Sequence, residues 1–195
     1  MYPVTFTLER PSKMSRAQVF LRILIVVLAS WIVGSGGWFG LVYLGLPVVA
    51  AILIARKGGR RYLDEDGDRM TNSVRFLVGV IAYLAYLTDD LPGGGRSAVQ
   101  FEVVRSGSPT LGSALLRIVK AIPSCLVLAL LSIVSTIVSL IAAISILLIE
   151  RYPARLWNFQ RGVVAWQARL LTYLASLVEP YPPFAWSVPS APLPA

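Results

Sequence analysis

Few residues in this chain have types and spacing that could do chemistry. Asp64-Glu65-Asp66-Gly67-Asp68 brings carboxylates together, the raw material of a calcium loop. Such a loop needs glycine after its third acidic residue and a closing glutamate. Gly67 comes too early and Val74 offers no ligand, so the run reads as a solvated acidic linker offsetting Arg60 and Arg61. Gly93-Gly94-Gly95 resembles a phosphate loop only in composition. It follows no strand and opens no helix with a Lys-Ser/Thr pair, so it reads as a flexible joint. Nucleophilic triads need a base, usually histidine, and the chain has none. Its single cysteine, Cys125, lies in an apolar run, which leaves no intrachain disulfide and no Cys/His metal cluster. The expectation is no catalytic residue, no metal site and no cofactor. Ser132, Ser135, Ser139 and Ser145 could line a polar seam for transport, but small residues at membrane-helix contacts more often serve packing.

Composition points to a membrane. Of 195 residues, 56% are hydrophobic and 14% charged, against roughly 25% charged in an ordinary soluble domain. Mean hydropathy is +0.69. The 33 residues from Ile23 to Ala55 and the 29 from Ala121 to Ile149 carry no Asp, Glu, Lys or Arg. Runs of that length read as membrane-embedded. The net charge of +8 has its arginines flanking apolar runs, as the positive-inside rule expects. Lipid headgroups fit these arginines better than nucleic acid does. The N-terminal residues do not read as a secretory signal.

Along the chain, Val4, Phe6 and Leu8 alternate with Thr5, Thr7 and Glu9, the pattern of a half-buried strand ended by Pro11. A first apolar helix is expected over about 17–33, with Arg22 within snorkelling reach of headgroups. Gly34-Ser35-Gly36-Gly37 reads as a tight break and Trp38 as an interfacial aromatic. A second apolar helix, kinked at Pro47, runs to about Ala55.

The plan then repeats. At a shift of 95, Val4, Phe6, Arg10, Arg22, Ile54 and Arg56 fall on Val99, Phe101, Arg105, Arg117, Ile149 and Arg151. At a shift of 90, Val74, Tyr83, Leu84 and Pro92 fall on Val164, Tyr173, Leu174 and Pro182. The aromatic, arginine and proline matches carry the case for an internal duplication. Residues 118–149 could form one overlong tilted helix, since no glycine divides them. The positive-inside rule and the repeat favour a turn near Ala129–Ser132.

The expected fold is therefore an all-α integral membrane protein with four transmembrane helices in two tandem hairpins. A short cytoplasmic strand precedes each hairpin and an amphipathic interfacial helix follows it. The repeats are residues 1–95 and 96–184, with a Pro-rich tail at 185–195. The two strands could pair with each other or across a dimer.

Glu150–Phe184 is the more distinctive of the two helix segments. On a helical wheel Asn158, Ala165, Ala168, Arg169, Thr172 and Ser176 gather on one side, and Trp157, Trp166 and aliphatic residues fill most of the rest. A wide apolar face with tryptophan and a narrow arginine-bearing face describes a helix in the membrane interface, or one packed on its own bundle or a partner helix.

The opening YPVTFTLERPSKMSRAQVFLR, the segment RIVKAIPSCLVL and the closing RYPARLWNFQRGVVAWQARLLTYLASLVEPYPPF resemble the bacterial domain-of-unknown-function family numbered 4389. The resemblance extends over nearly the whole chain, twice if the duplication holds. The first half departs from it, with Asp89-Asp90-Leu91-Pro92-Gly93 in place of Tyr-Pro-Pro-Phe. It implies a small bacterial inner-membrane protein and carries over no activity.

The functional expectation is a non-enzymatic scaffold or accessory subunit. Trp157, Trp166, Arg155, Arg161, Arg169, Tyr181, Pro182, Pro183, Phe184 and Trp186 are the expected interface and partner contacts. Arg22, Arg56, Arg117, Lys120 and Arg151 are expected to face headgroups. The partners would be membrane lipids and another membrane protein or a second copy, and both termini would be cytoplasmic. The alternative is a small transporter, channel or lipid-handling protein.

Overall fold

A computed structural model describes residues 2–33, 37–93 and 99–183, without the side chains of residues 32, 33 and 38–41. Strand β1 (Val4–Leu8) pairs antiparallel with β2 (Val99–Val103), with Phe6 opposite Phe101 at the centre. The strands pair within one chain, the first of the two expected possibilities. Val4, Phe6, Leu8, Val99 and Phe101 all face the core, so the period-two pattern fixes the register.

The helices depart from the hairpin expectation. Helices α1 (Arg16–Val33) and α2 (Gly37–Lys57) are followed by a single continuous α5 (Leu111–Ile149) of 39 residues. No turn forms at Ala129–Ser132. Ser132 donates its hydroxyl to the Ala129 carbonyl and Thr136 to that of Ser132. These polar side chains are satisfied along the helix itself, and no glycine or proline lies there to break it. Helix α5 starts on a capping box between Thr110 and Ser113 and ends where Glu150 turns left-handed at φ 54°.

The first apolar run is not a hairpin either. The start of α1 lies against the end of α5: Met14 N–H donates to the Glu150 carbonyl at 2.9 Å, and Arg16 donates to that of Leu148 at 3.3 Å. Tyr43 and Leu44 of α2 instead face Ile118 and Cys125 in the N-terminal half of α5. The loop after α2 then reaches Pro109, just before α5 begins. Helices α1 and α2 thus run antiparallel along successive halves of one helix, about 58 Å long at 1.5 Å per residue. Among the described residues one helix, not four, is long and apolar enough to cross a membrane. Residues 34–36, the side chain of Trp38 and residues 94–95 of the expected glycine joint lie outside the described part.

After α2 come a short α3 (Gly59–Arg61), one π-helical turn (Tyr62–Asp66) and α4 (Gly67–Leu84). The acidic run is therefore helical and paired rather than a linker. Lys57 bridges Asp66 at 2.7 Å and Glu65 at 3.0 Å, and Arg105 meets Asp68 at 3.1 Å. A Cβ on Gly59 would strike the Pro109 carbonyl, which is backbone and cannot swing away. Gly59→Ala is expected to destabilise the fold by about 1–3 kcal/mol, the usual range for overpacking. A thermal melt in detergent would show it, and an unchanged midpoint would mean this contact is not tight.

The last helix, α6 (Ala154–Leu174), is buried almost all round. It packs on α5 and α2 on one side and on α4 and β1 on others. The result is layered: α1, α2 and α5 form one layer, α4 and α6 lie on it, and the sheet lies on α4 and α6. Arg75, midway along α4, donates to the Phe101 carbonyl at 3.0 Å, which centres the sheet on that helix. One apolar cluster runs through residues of both halves of the chain.

Candidate functional site

The most organised polar chemistry is a pair of buried arginines at the C-terminal turns of α4 and α6. Both turns use the same device without glycine. Tyr86 and Ser176 take left-handed φ values of 61° and 57°. Leu87 N–H donates back to the Ala82 carbonyl, and Leu177 N–H to that of Thr172. These are six-to-one closures of a helix end, which still leave acceptor capacity on carbonyls in and just after the turn. An arginine from the apolar layer takes them. Arg117, 5% exposed, donates to the carbonyls of Tyr173 and Val178 and lies 4.7 Å from the Tyr173 ring centre. Arg22, 1% exposed, donates to the Thr88 carbonyl and to Asp89 at 2.8 Å. Its guanidinium also lies 4.5 Å and 4.7 Å from the Tyr83 and Tyr86 ring centres. The negative end of a helix dipole and the aromatic faces both favour a cation here.

The side chains of Arg22 and Arg117 therefore turn into the protein and bond to its carbonyls, where the expectation had them reach outward to headgroups. Snorkelling needs only a nearby aqueous boundary, whereas open carbonyls offer better-placed acceptors. Of the other arginines and lysines named for that role, Arg56, Lys120 and Arg151 are exposed.

Helix α6 takes the second of its two readings and packs on its own bundle. Trp157 and Trp166 are 3% and 5% exposed, and Trp157 donates its indole N–H to the Leu87 carbonyl at 3.3 Å. Arg161 stacks 5.3 Å from the Trp157 ring centre, and buried Arg169 donates to the Ala165 carbonyl at 3.2 Å. The wide apolar face of this helix is wide because protein covers several of its sides. Arg155 is exposed. Tyr181 shares a hydrogen bond with Ser124 and packs edge-on against Tyr173 at 5.4 Å, beside a buried Pro182 and an exposed Pro183. Phe184, Trp186 and the rest of the tail lie outside the described residues.

Beside Arg22 opens a cavity of about 390 Å³ between α1 and α5, floored by α4 and α6. Ser135, Ser139, Gln160 and Gln167 reach it, with Gln160 donating to the Ser135 hydroxyl. Of the four serines weighed as a polar seam, Ser135 and Ser139 line this cavity, and Ser135 meets Gln160. Ser132 and Ser145 instead bond to backbone carbonyls, those of Ala129 and Arg151. Sequence reasoning missed Gln160, which broke the wheel's apolar face and carried a usable signal for that reason.

Residues 112–185 match a family model described as Domain of unknown function (DUF4389). The match is a single copy. It spans nearly all of α5, the whole of α6 and the Arg117 turn, so the matched segment contains one arginine-capped helix end complete. No curated protein and no solved structure matches the chain.

Proposed function

We propose that this is a non-enzymatic bacterial inner-membrane protein, a scaffold or accessory subunit, held in the membrane by its α1–α2–α5 layer. The observation that carries the reading is the outer face of that layer. Phe20, Leu24, Leu28, Leu44, Val48, Leu115, Val119, Leu126, Leu130, Ile137 and Ile144 are all exposed there. Among the described residues, α5 is the one helix long and apolar enough to cross a membrane, and only 17% of its most apolar stretch is buried. A soluble protein rarely exposes an apolar face of this extent.

The layering favours an in-plane placement over crossing. A helix of about 58 Å is nearly twice the roughly 30 Å hydrocarbon core. Crossing would also drag the middle of α4, with exposed Asn72, Ser73 and Arg75, into hydrocarbon. Lying flat in the cytoplasmic leaflet keeps the sheet, α4 and both termini on the aqueous side. It also satisfies the positive-inside rule without hairpins. The equivalent turns, arginines and strands of the two halves support descent from two tandem copies.

A scaffold should bring a partner with it. Purification in mild detergent from native membranes is expected to retrieve a second membrane protein, or a second copy, at fixed stoichiometry. Recovery as a lone monomer from several native-like lipid mixtures would count against the scaffold role. The alternative of lipid handling is favoured by the Arg22 cavity.

A further inference from the structure

We propose that the cavity beside Arg22 binds the headgroup of an acidic phospholipid, with an acyl chain leaving between α1 and α5. The inference rests on the membrane placement above and deepens its lipid-handling alternative. A guanidinium has five N–H donors. Arg22 spends Nη2 on Thr88 and Asp89, while its Nε and Nη1 are buried without an acceptor. Gln160, 3% exposed and lining the same cavity, has a buried Oε1 without a donor. Leaving such groups unmet costs about 1–3 kcal/mol each, more for a charged one. A ligand that offers acceptors on one side and a hydroxyl on the other would satisfy both.

Phosphate oxygens can accept from Arg22, and a headgroup hydroxyl can donate to Gln160. Ser139 and Gln167 stand by with further polar groups. Asp89 faces the same guanidinium and offsets part of its charge, so the attraction depends on the open N–H donors as well as on net charge. The cavity's outer wall decides for a lipid over a soluble anion. Ile23, Val26, Val27 and Leu140 are 46–61% exposed and belong to the face placed against acyl chains. At the other end of the pseudo-repeat, Tyr181 packs on Tyr173 beside Arg117, where its hydroxyl meets Ser124.

The test uses the full chain in nanodiscs of phosphatidylcholine doped with phosphatidylglycerol, read by native mass spectrometry. One phosphatidylglycerol per chain should survive release from the disc in preference to phosphatidylcholine. Arg22→Gln should cut that retention about tenfold, equivalent to 1.4 kcal/mol. Because Arg22 also caps α4, Ser139→Phe is the second variant. It fills the cavity and leaves the bonds of Arg22 to Thr88 and Asp89 in place, and it should lose the lipid with an unchanged circular dichroism spectrum. Retention that ignores lipid charge, or that both variants keep, would overturn the site. So would full displacement by inorganic phosphate, which would make it a free-anion site, or a cavity holding water alone. A chain washed off membranes by carbonate would instead remove the membrane placement, and the lipid site with it.

Discussion

Arg117→Ala is expected to destabilise the fold strongly and to lower its melting midpoint. It leaves the Val178 carbonyl buried without its donor, removes one donor from the Tyr173 carbonyl, which keeps the Ser176 N–H at 3.0 Å, and takes the cation from the Tyr173 ring. An unmet buried carbonyl costs about 1–3 kcal/mol, so one of them and the lost packing suggest roughly 2–4 kcal/mol. Relief of burying a charge offsets part of this, which puts the net near the lower figure. For a chain of this size that is a fall in melting midpoint of about 4–8 °C. Arg117→Lys should recover part of the loss, since a single ammonium can reach one carbonyl but cannot stack as a plane. Thermal scanning of the detergent-solubilised protein measures both variants. If Arg117→Ala melts with the wild type, the α6 turn closes without the arginine and the clamp is only incidental.

Some of this was legible in the sequence. Strands show a period of two, and Val4-Phe6-Leu8 and Val99-Phe101 carry it cleanly, so the buried faces followed from the residues, whereas pairing within one chain came only from the structure. The arginines in one register pointed to something shared by the two halves. What Arg22 and Arg117 do was not legible, because a helix-end carbonyl is invisible until the turn after α4 or α6 is placed beside them. Hydropathy also treats a bent and a straight apolar run alike. The 29 uncharged residues after Lys120 suit a short hairpin arm or the middle of one long helix equally. The choice was made by tertiary contacts, with α1 and α2 seated along opposite halves of α5. The wheel of α6 misled for a related reason. Its polar strip of Asn158, Arg169 and Thr172 looked solvent-facing, yet Arg169 and Thr172 bond to their own helix carbonyls and lie inside.

The placement of the long helices gives the second large expected effect, an all-or-none labelling pattern. In a chain whose Cys125 has been replaced by alanine, single cysteines are introduced at Arg56, Ser132 and Arg155. Arg56 lies at the end of α2 beside the start of α5, and Arg155 follows the far end of α5, so the two mark opposite ends of the layer. Ser132 is exposed in the middle of α5 on the apolar surface. In-plane embedding predicts that a membrane-impermeant maleimide modifies positions 56 and 155 only from the cytoplasmic side and leaves 132 unmodified from either. Two hairpins would give the same result at 56 and 155 but open 132 to the periplasm. A pair of long crossing helices would put 56 and 155 on opposite sides. The three arrangements give three different patterns, because each places the roughly 30 Å of hydrocarbon across a different stretch of the same helices.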